Sequence, residues 1–336
     1  MSKSNEKTTR TTLVTVATVL ILLFVGILSM SGCTNQQTNT IKIDGAFALY
    51  PMMLKWTDEY HKLHPNISFD VQSNGAGQGM TLALNKQIDI GMVSREINQS
   101  EIQKGAFWVS VTKDAVVATI NAENPVISII MTTGITKQQF KDIFITRNIT
   151  TWGQLVGNAS ITAPIIVYSR QDACGAADTW AKYLGKYTQD DLTLHADYTI
   201  KNDDQLAQSI VADKNGIGYN NMAYVYDANS FKYDGKIRSV PIDLNGNGTL
   251  ETNESFYETR AALVDAINNK IYPSPPARVE NLVCYGNFSG ITYDFVHWIL
   301  TDGQQYVLDT GYVLLPQDTI QQQITYLETG KRPEIP

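Results

Sequence analysis

An apolar run at residues 13–30 stands apart from the rest of the chain, because beyond Cys33 the apolar positions recur only in short periodic groups. Ile41-Lys42-Ile43 carries a short strand signal, and Met52, Trp56, Tyr60 and Leu63 then repeat at helical spacing until Pro65. Ile67-Ser68-Phe69-Asp70-Val71 alternates as a half-buried strand. A second helix is predicted from the Gly75-Ala76-Gly77-Gln78-Gly79 turn through Leu82 and Leu84, and Ile88-Asp89-Ile90-Gly91 reads as another strand. Residues 109–120 form a strand pattern long enough to cross between domains. Residues 279–285, after the Pro273-Ser274-Pro275-Pro276 turn, are predicted as a second crossing strand. Between them, Thr136 with Gln139 is a capping box for a helix reaching Phe144. Strands follow at 165–168 and 216–219, separated by helices that carry Trp180 and that open at Asn202 with Gln205. Phe295, Trp298 and Ile299 mark a last helix. This alternation predicts the α/β class, with two halves joined by two crossing strands. Lobe one is expected from residues 41–112 plus 285–336, and lobe two from 113–284.

The first segment changes the picture of where the chain resides. Lys3, Lys7 and Arg10 precede the apolar run, which ends at Met30-Ser31-Gly32-Cys33. That is the pattern of a signal peptide (1–32) cleaved before a cysteine that takes up lipid, with a polar tether at 33–40. Lipid-bearing Cys33 would hold the protein on the outer face of the cytoplasmic membrane. Removing residues 1–32 takes away three cations and one anion, leaving 23 basic and 32 acidic residues and a net charge of −9. Nucleic acid, which demands basic stripes, is excluded as a partner. A small anion is not, because a few focused donors in a cleft outweigh the global field. Cys174 and Cys284, the two cysteines besides Cys33, do not make a disulfide scaffold.

Candidate chemistry gathers at three glycine-bearing strand-to-helix turns: Gly45-Ala46-Phe47-Ala48, Gly75-Ala76-Gly77 and Cys174-Gly175-Ala176. The first N–H groups of a helix lack partners within it and sit at the positive end of its dipole. Glycine removes the side chain that would hold an anion away from them. Two arginines accompany these turns, Arg95 after Ser94 and Arg170 after Ser169, both directly following apolar strand patterns. A guanidinium fork matches two oxygens of a tetrahedral anion.

In this order, Gly45-Ala46-Phe47-Ala48-Leu49-Tyr50-Pro51, Gly75-Ala76-Gly77-Gln78-Gly79, the 88–95 segment ending Val93-Ser94-Arg95, and Ser169-Arg170-Gln171-Asp172-Ala173-Cys174-Gly175-Ala176 resemble the periplasmic phosphate-binding proteins of ABC importers. Lys113-Asp114, Gly216-Ile217-Gly218-Tyr219 and 311–316 extend the resemblance over nearly the whole chain after residue 40. It implies a two-lobed periplasmic-binding-protein fold of type II that closes on dehydrated phosphate and passes it to a membrane permease. It also implies a phosphate site at Ala46, Phe47, Ala48, Ala76, Gly77, Ser94, Arg95, Arg170, Cys174, Gly175 and Ala176, with Arg170 as the principal phosphate arginine. The chain departs from the family pattern where Cys174 and Ala176 replace serine and threonine, where Ala76 replaces serine, and at Phe47 and Ala48, which stand at hydroxyl-bearing positions. Backbone amides and arginines must therefore do more. Another oxyanion (sulfate, molybdate or tungstate) is the alternative ligand, and a cleft enzyme acting on phosphate esters is the alternative from another class. No convincing base or metal accompanies the cleft residues in sequence, so no catalysis and no required cofactor are expected.

A separate pattern lies at 243–254, where Asp243, Asn245, Asn247, Thr249, Glu251 and Glu254 occupy the oxygen-ligand places of a twelve-residue calcium loop, with Gly248 at the sixth. A weak structural calcium ion is the expectation there.

Overall fold

The computed structural model describes residues 39–333, except 228, 229 and 231. The leader at 1–32, Cys33 and most of the 33–40 tether lie outside the described residues. In chain order the strands are β1 (Asn39–Gly45), β2 (Ile67–Val71), β3 (Ile90–Val93), β4 (Ala106–Asn121), β5 (Ile135–Thr136), β6 (Ile166–Arg170), β7 (Tyr198–Ile200), β8 (Gly216–Asn221), β9 (Ile237–Ser239), β10 (Ile242–Asp243) and β11 (Ala277–Tyr285). Nine of them share one sheet in the order β2-β1-β3-β11-β4-β8-β6-β7, with β9 alongside β4, while β5 and β10 pair separately.

β4 is the organising element. Sixteen residues at about 3.3 Å each make it long enough to serve two hydrophobic cores. Its first part pairs antiparallel with β11, and its second part pairs with β8 from Val116 to Ile120. Phe107, Val109 and Val111 belong to one core with Trp56, Met92 and Phe295, whereas Val116, Val117 and Ile120 belong to the other with Trp180, Phe144 and Tyr219. The polar residues Thr112 and Asp114 fall where the strand passes from one core to the next. β11 makes the same passage, with Ala277 in the second core and Leu282, Val283 and Cys284 in the first. Residues 282–284, expected in the second lobe, therefore pack with the first. The strand signal told where β11 runs but not on which side of the crossing each residue is covered.

Local chemistry explains the helix boundaries. Pro51 occupies the first turn of helix Tyr50–Leu63, where a missing N–H has no partner to lose. Thr136 caps Lys137–Phe144 with its side chain on the Gln139 amide, and the Gln139 side chain reaches back in return. Asn202 caps Asp203–Ala212 in the same way from one side. Helix Gly175–Leu184 stops at Gly185. Among the described residues, no helix is long and apolar enough to cross a membrane.

Candidate anion-binding site

The three glycine turns, 130 residues apart in sequence at the extremes, meet in the fold. Asp44 ties the first two together: one carboxylate oxygen accepts from the amides of Gly45 (2.7 Å) and Asn74 (3.0 Å), the other from the Asn74 side chain (2.9 Å). The second and third turns touch across the two cores, with the Gly77 amide 3.3 Å from the Ala173 carbonyl. Ser94, which is buried, rests directly on Gly175, and a β-carbon at 175 would overlap both its hydroxyl and its carbonyl. The lobes are also latched at the rim by Lys182 and Glu96, 3.2 Å apart.

The turn carbonyls are already engaged. Tyr224 donates to Phe47 O at 3.1 Å and Tyr312 donates to Ala48 O. The amides of Phe47, Ala48, Ala76, Gly175 and Ala176 carry no protein acceptor among the described residues. Five backbone donors without protein acceptors thus lie on the three touching turns, where the sequence lacks hydroxyls. Cys174 takes the capping role of the usual serine, with its sulfur accepting from the Ala177 amide at 3.4 Å. Burial pushes its thiol up to about 12, so it stays neutral at physiological pH.

The predicted arginines are less free than the sequence suggests. Arg170 is fully buried and forks onto Asp172, with Nε to Oδ1 at 2.8 Å and Nη2 to Oδ2 at 2.7 Å. Its Nη1 donates to buried Asp203 at 2.6 Å. Burial disfavours its charge, but Asp203 and Asp172 more than offset this and raise its pKa. A guanidinium has five N–H groups, so one on each terminal nitrogen remains for a ligand. The ring of Phe47 covers the guanidinium at 5.3 Å. Arg95 is held by both oxygens of Glu101, at 3.0 and 2.7 Å, and lines a cavity of about 680 Å³ with Lys182 and Arg278. Asp172 was legible two places after Arg170. Asp203, thirty-three places on, had no signal beyond its place in a helix cap.

A second charged group lies on the crossing strands, and the sequence did not point to it. Arg278 on β11 sits opposite Asp114 on β4. It approaches Asp114 and Glu280 at 3.4 Å each, donates to Thr179 at 3.2 Å, and also bonds Asn221. Burial raises the pKa of both Asp114 and Glu280, and the nearby Arg278 only partly counters it. A carboxyl whose folded pKa lies above its unfolded value binds its proton more tightly when folded. Its stabilisation is present below the ordinary glutamate pKa, about 4.3, and is lost as pH rises through the folded value. Glu280→Gln should therefore match the wild type in urea midpoint near pH 4 and exceed it progressively toward pH 8. A pH-independent difference would show that folding does not shift the titration of Glu280.

At 243–254 the candidate calcium residues form a loop closed by its own hydrogen bonds. Asp243 accepts from the amides of Gly246 and Gly248 at 2.7 and 2.9 Å, and Glu254 from those of Leu244 and Glu251 at 2.9 and 3.1 Å. Asn245 and Asn247 direct their side-chain amides to Glu251. These are hard-oxygen donors suited to calcium, yet among the described residues no three His, Cys, Asp or Glu side chains converge as metal ligands.

Residues 32–299 match a family described as a PBP superfamily domain. The chain belongs to the PBP superfamily. Among curated relatives of this PBP chain, the protein SphX of Synechococcus elongatus is 29% identical over 223 residues, which is 63% of this chain and 61% of that protein. The phosphate-binding protein PstS 2 of Streptococcus agalactiae is 30% identical over 115 residues, 34% of this chain and 37% of that one. In both, the PBP chain spans less than two thirds of the relative's length. A crystal structure from Clostridium perfringens, described as a phosphate ABC transporter substrate-binding protein with bound phosphate, superposes with a TM-score of 0.66. It is 24% identical and covers 83% of this chain and 100% of that one. The shared fold is the two-lobed PBP architecture, with β4 and β11 as its crossing strands.

Proposed function

We propose that this protein is an extracytoplasmic solute-binding protein that captures phosphate between its lobes and delivers it to the permease of an ABC importer. The observation that carries the reading is the convergence of three glycine turns, whose amides at Phe47, Ala48, Ala76, Gly175 and Ala176 lack protein acceptors, beside Ser94 and Arg170. Relatives named for phosphate binding support the choice of anion. The neutral, buried Cys174 thiol supports binding without catalysis. Calorimetry of the purified protein against phosphate, sulfate, molybdate and tungstate tests it. Stoichiometric binding of phosphate is expected, and tighter binding of another oxyanion would overturn the named ligand.

The lipid anchor at Cys33 belongs to the same reading. Cys33→Ser should release the protein from the membrane fraction or leave its leader uncut, and unchanged fractionation would count against the anchor. For the 243–254 loop we propose weak calcium binding. Millimolar calcium should raise the melting temperature modestly, an effect lost on replacing Asp243 and Glu254 with alanine while phosphate affinity holds. An unmutated protein indifferent to calcium removes the proposal.

A further inference from the structure

The carboxylate that holds Arg170 is itself held from the crossing strands. β11 lies beside β4, and β4 beside β8. Arg278 on β11 is opposite Asp114 on β4, and Asn221 on β8 is opposite Val116. Residues two places apart on a strand share a face, as do residues directly opposite across a pair. Arg278, Asp114 and Asn221 therefore stand on one face of the sheet, and Arg278 spans β4 to reach the far strand. Its Nη2 donates to Asn221 Oδ1 while lying 3.4 Å from Asp114.

Arginine offers donors and no acceptor, so Asn221 must turn its oxygen toward Arg278 and its amide nitrogen away. That nitrogen donates to Asp203 Oδ2 at 2.9 Å, and the Asn221 main-chain N–H donates to Oδ1 at 3.0 Å. Oδ2 also accepts from Arg170 Nη1 at 2.6 Å. Arg278, Asn221, Asp203 and Arg170 thus form one continuous run, and the most exposed of the four is Arg278 at 9%. A second arm leaves the same guanidinium. Its Nη1 donates at 3.2 Å to Thr179, on helix Gly175–Leu184, whose first amides belong to the third glycine turn. Two elements of the anion site in the second lobe are therefore tied to one cation on a strand that joins the lobes. Asp114 and Glu280 balance that cation, and Arg260, over the Tyr312 ring at 5.5 Å, adds a positive charge near Asp114.

Low dielectric strengthens each bond in such a buried run and makes a broken one costly. We propose that Arg278 is a positioning residue for phosphate capture: through Asn221 it fixes Asp203, and through Asp203 it aims the two unengaged N–H groups of Arg170 at the anion. Without Arg278, the Asn221 amide is no longer held in one sense and can turn its oxygen on Asp203, which then loses a donor. Arg170 would pivot about its fork onto Asp172. Two-point recognition of a tetrahedral anion depends on the plane of that guanidinium. The inference rests on the phosphate-capture reading above and extends it from the cleft to the crossing strands.

Variants of the full-length protein, titrated calorimetrically with inorganic phosphate, test it. Arg278→Lys keeps a cation beside Asp114 and Glu280, but a single ammonium head cannot serve Asn221 and Thr179 as the fork does. Asn221→Ala cuts the run in the middle. Each should lower phosphate affinity by about tenfold or more. The deciding comparison repeats Asn221→Ala in a background of Arg170→Met with Asp203→Asn, which removes the guanidinium that the run serves and the carboxylate it would strand. There the substitution should change affinity by less than about twofold, because residues acting through one another are not additive. A merely structural role would lower the urea midpoint of the variants and leave affinity alone, or weaken binding by the same factor with and without Arg170. Either result overturns the assignment, as does affinity within about threefold of wild type for Arg278→Lys or for Asn221→Ala. Should Asn221→Ala fail to fold, Asn221→Ser, which keeps a hydroxyl in the run, takes its place in both comparisons. A wild type that binds no phosphate overturns the capture reading itself, so its titration tells the two failures apart.

Discussion

Arg170→Met should lower the free energy of unfolding by about 3–5 kcal/mol, because it leaves Asp203 buried without its cation. Asp203 is fully buried, and one of its oxygens accepts from Arg170 at 2.6 Å. The same carboxylate takes the Asn221 amide at 3.0 Å and the Asn221 side chain at 2.9 Å, so it cannot swing out to water without opening β8. Asp172 loses two charge-assisted bonds but is nearer solvent and can be hydrated. Adding Asp203→Asn to Arg170→Met should restore most of the loss, since an amide can stay buried on hydrogen bonds alone. Urea unfolding of the single and double variants is the measurement. A single variant as stable as wild type would mean that the Arg170–Asp203 pair contributes nothing to stability. Phosphate affinity should fall at least about a hundredfold in the single variant, because two uncompensated carboxylates then face the incoming anion.

Gly175→Ala is expected to separate binding from stability. The side chain at 175 projects at Ser94, and in the closed arrangement its β-carbon would meet both the hydroxyl and the backbone carbonyl there. Rotating a side chain cannot relieve a clash with a carbonyl, so the lobes would have to stay apart. In the open form nothing opposes the substitution, and within a helix alanine is favoured over glycine by up to about 1 kcal/mol. The ligand-free protein should therefore melt at or slightly above the wild-type temperature. Phosphate affinity should drop by about a hundredfold or more, since the donors of the first and third turns could no longer meet on one anion. Small-angle scattering should show that phosphate contracts the wild type but not the variant. Contraction and tight binding in Gly175→Ala would mean that Ser94 and Gly175 part during capture.

Much of the architecture was written in local pattern. The strand pattern at 109–120 was long enough to cross between domains, and the structure extends it to Ala106–Asn121. The Thr136–Gln139 box and the glycine stop at Gly185 set their helix ends through bonds within a few residues. The glycine turns were equally legible, because a tight strand-to-helix turn constrains sequence over four or five neighbouring positions. Their convergence into one site followed from the α/β alternation together with a family resemblance, not from any single motif.

What sequence alone did not determine was which charges remain available. Arg95 and Arg170 read as anion ligands because a lone arginine after a strand looks free. Their partners Glu101 and Asp203 approach only once helices and strands pack, and Asp203 is recruited from thirty-three residues away. Arg260 drew no notice in the sequence, since nothing nearby marks it as buried. It is the tertiary contact of Gly311 and Tyr312 that shuts it in without a carboxylate. The Arg278, Asp114 and Glu280 group likewise exists only because β4 and β11 lie antiparallel with 278 opposite 114. Chain pattern determines where backbone donors can form, because turns and helix ends are local. Electrostatic balance is a sum over neighbours brought together from everywhere in the chain, and only the folded arrangement decides it.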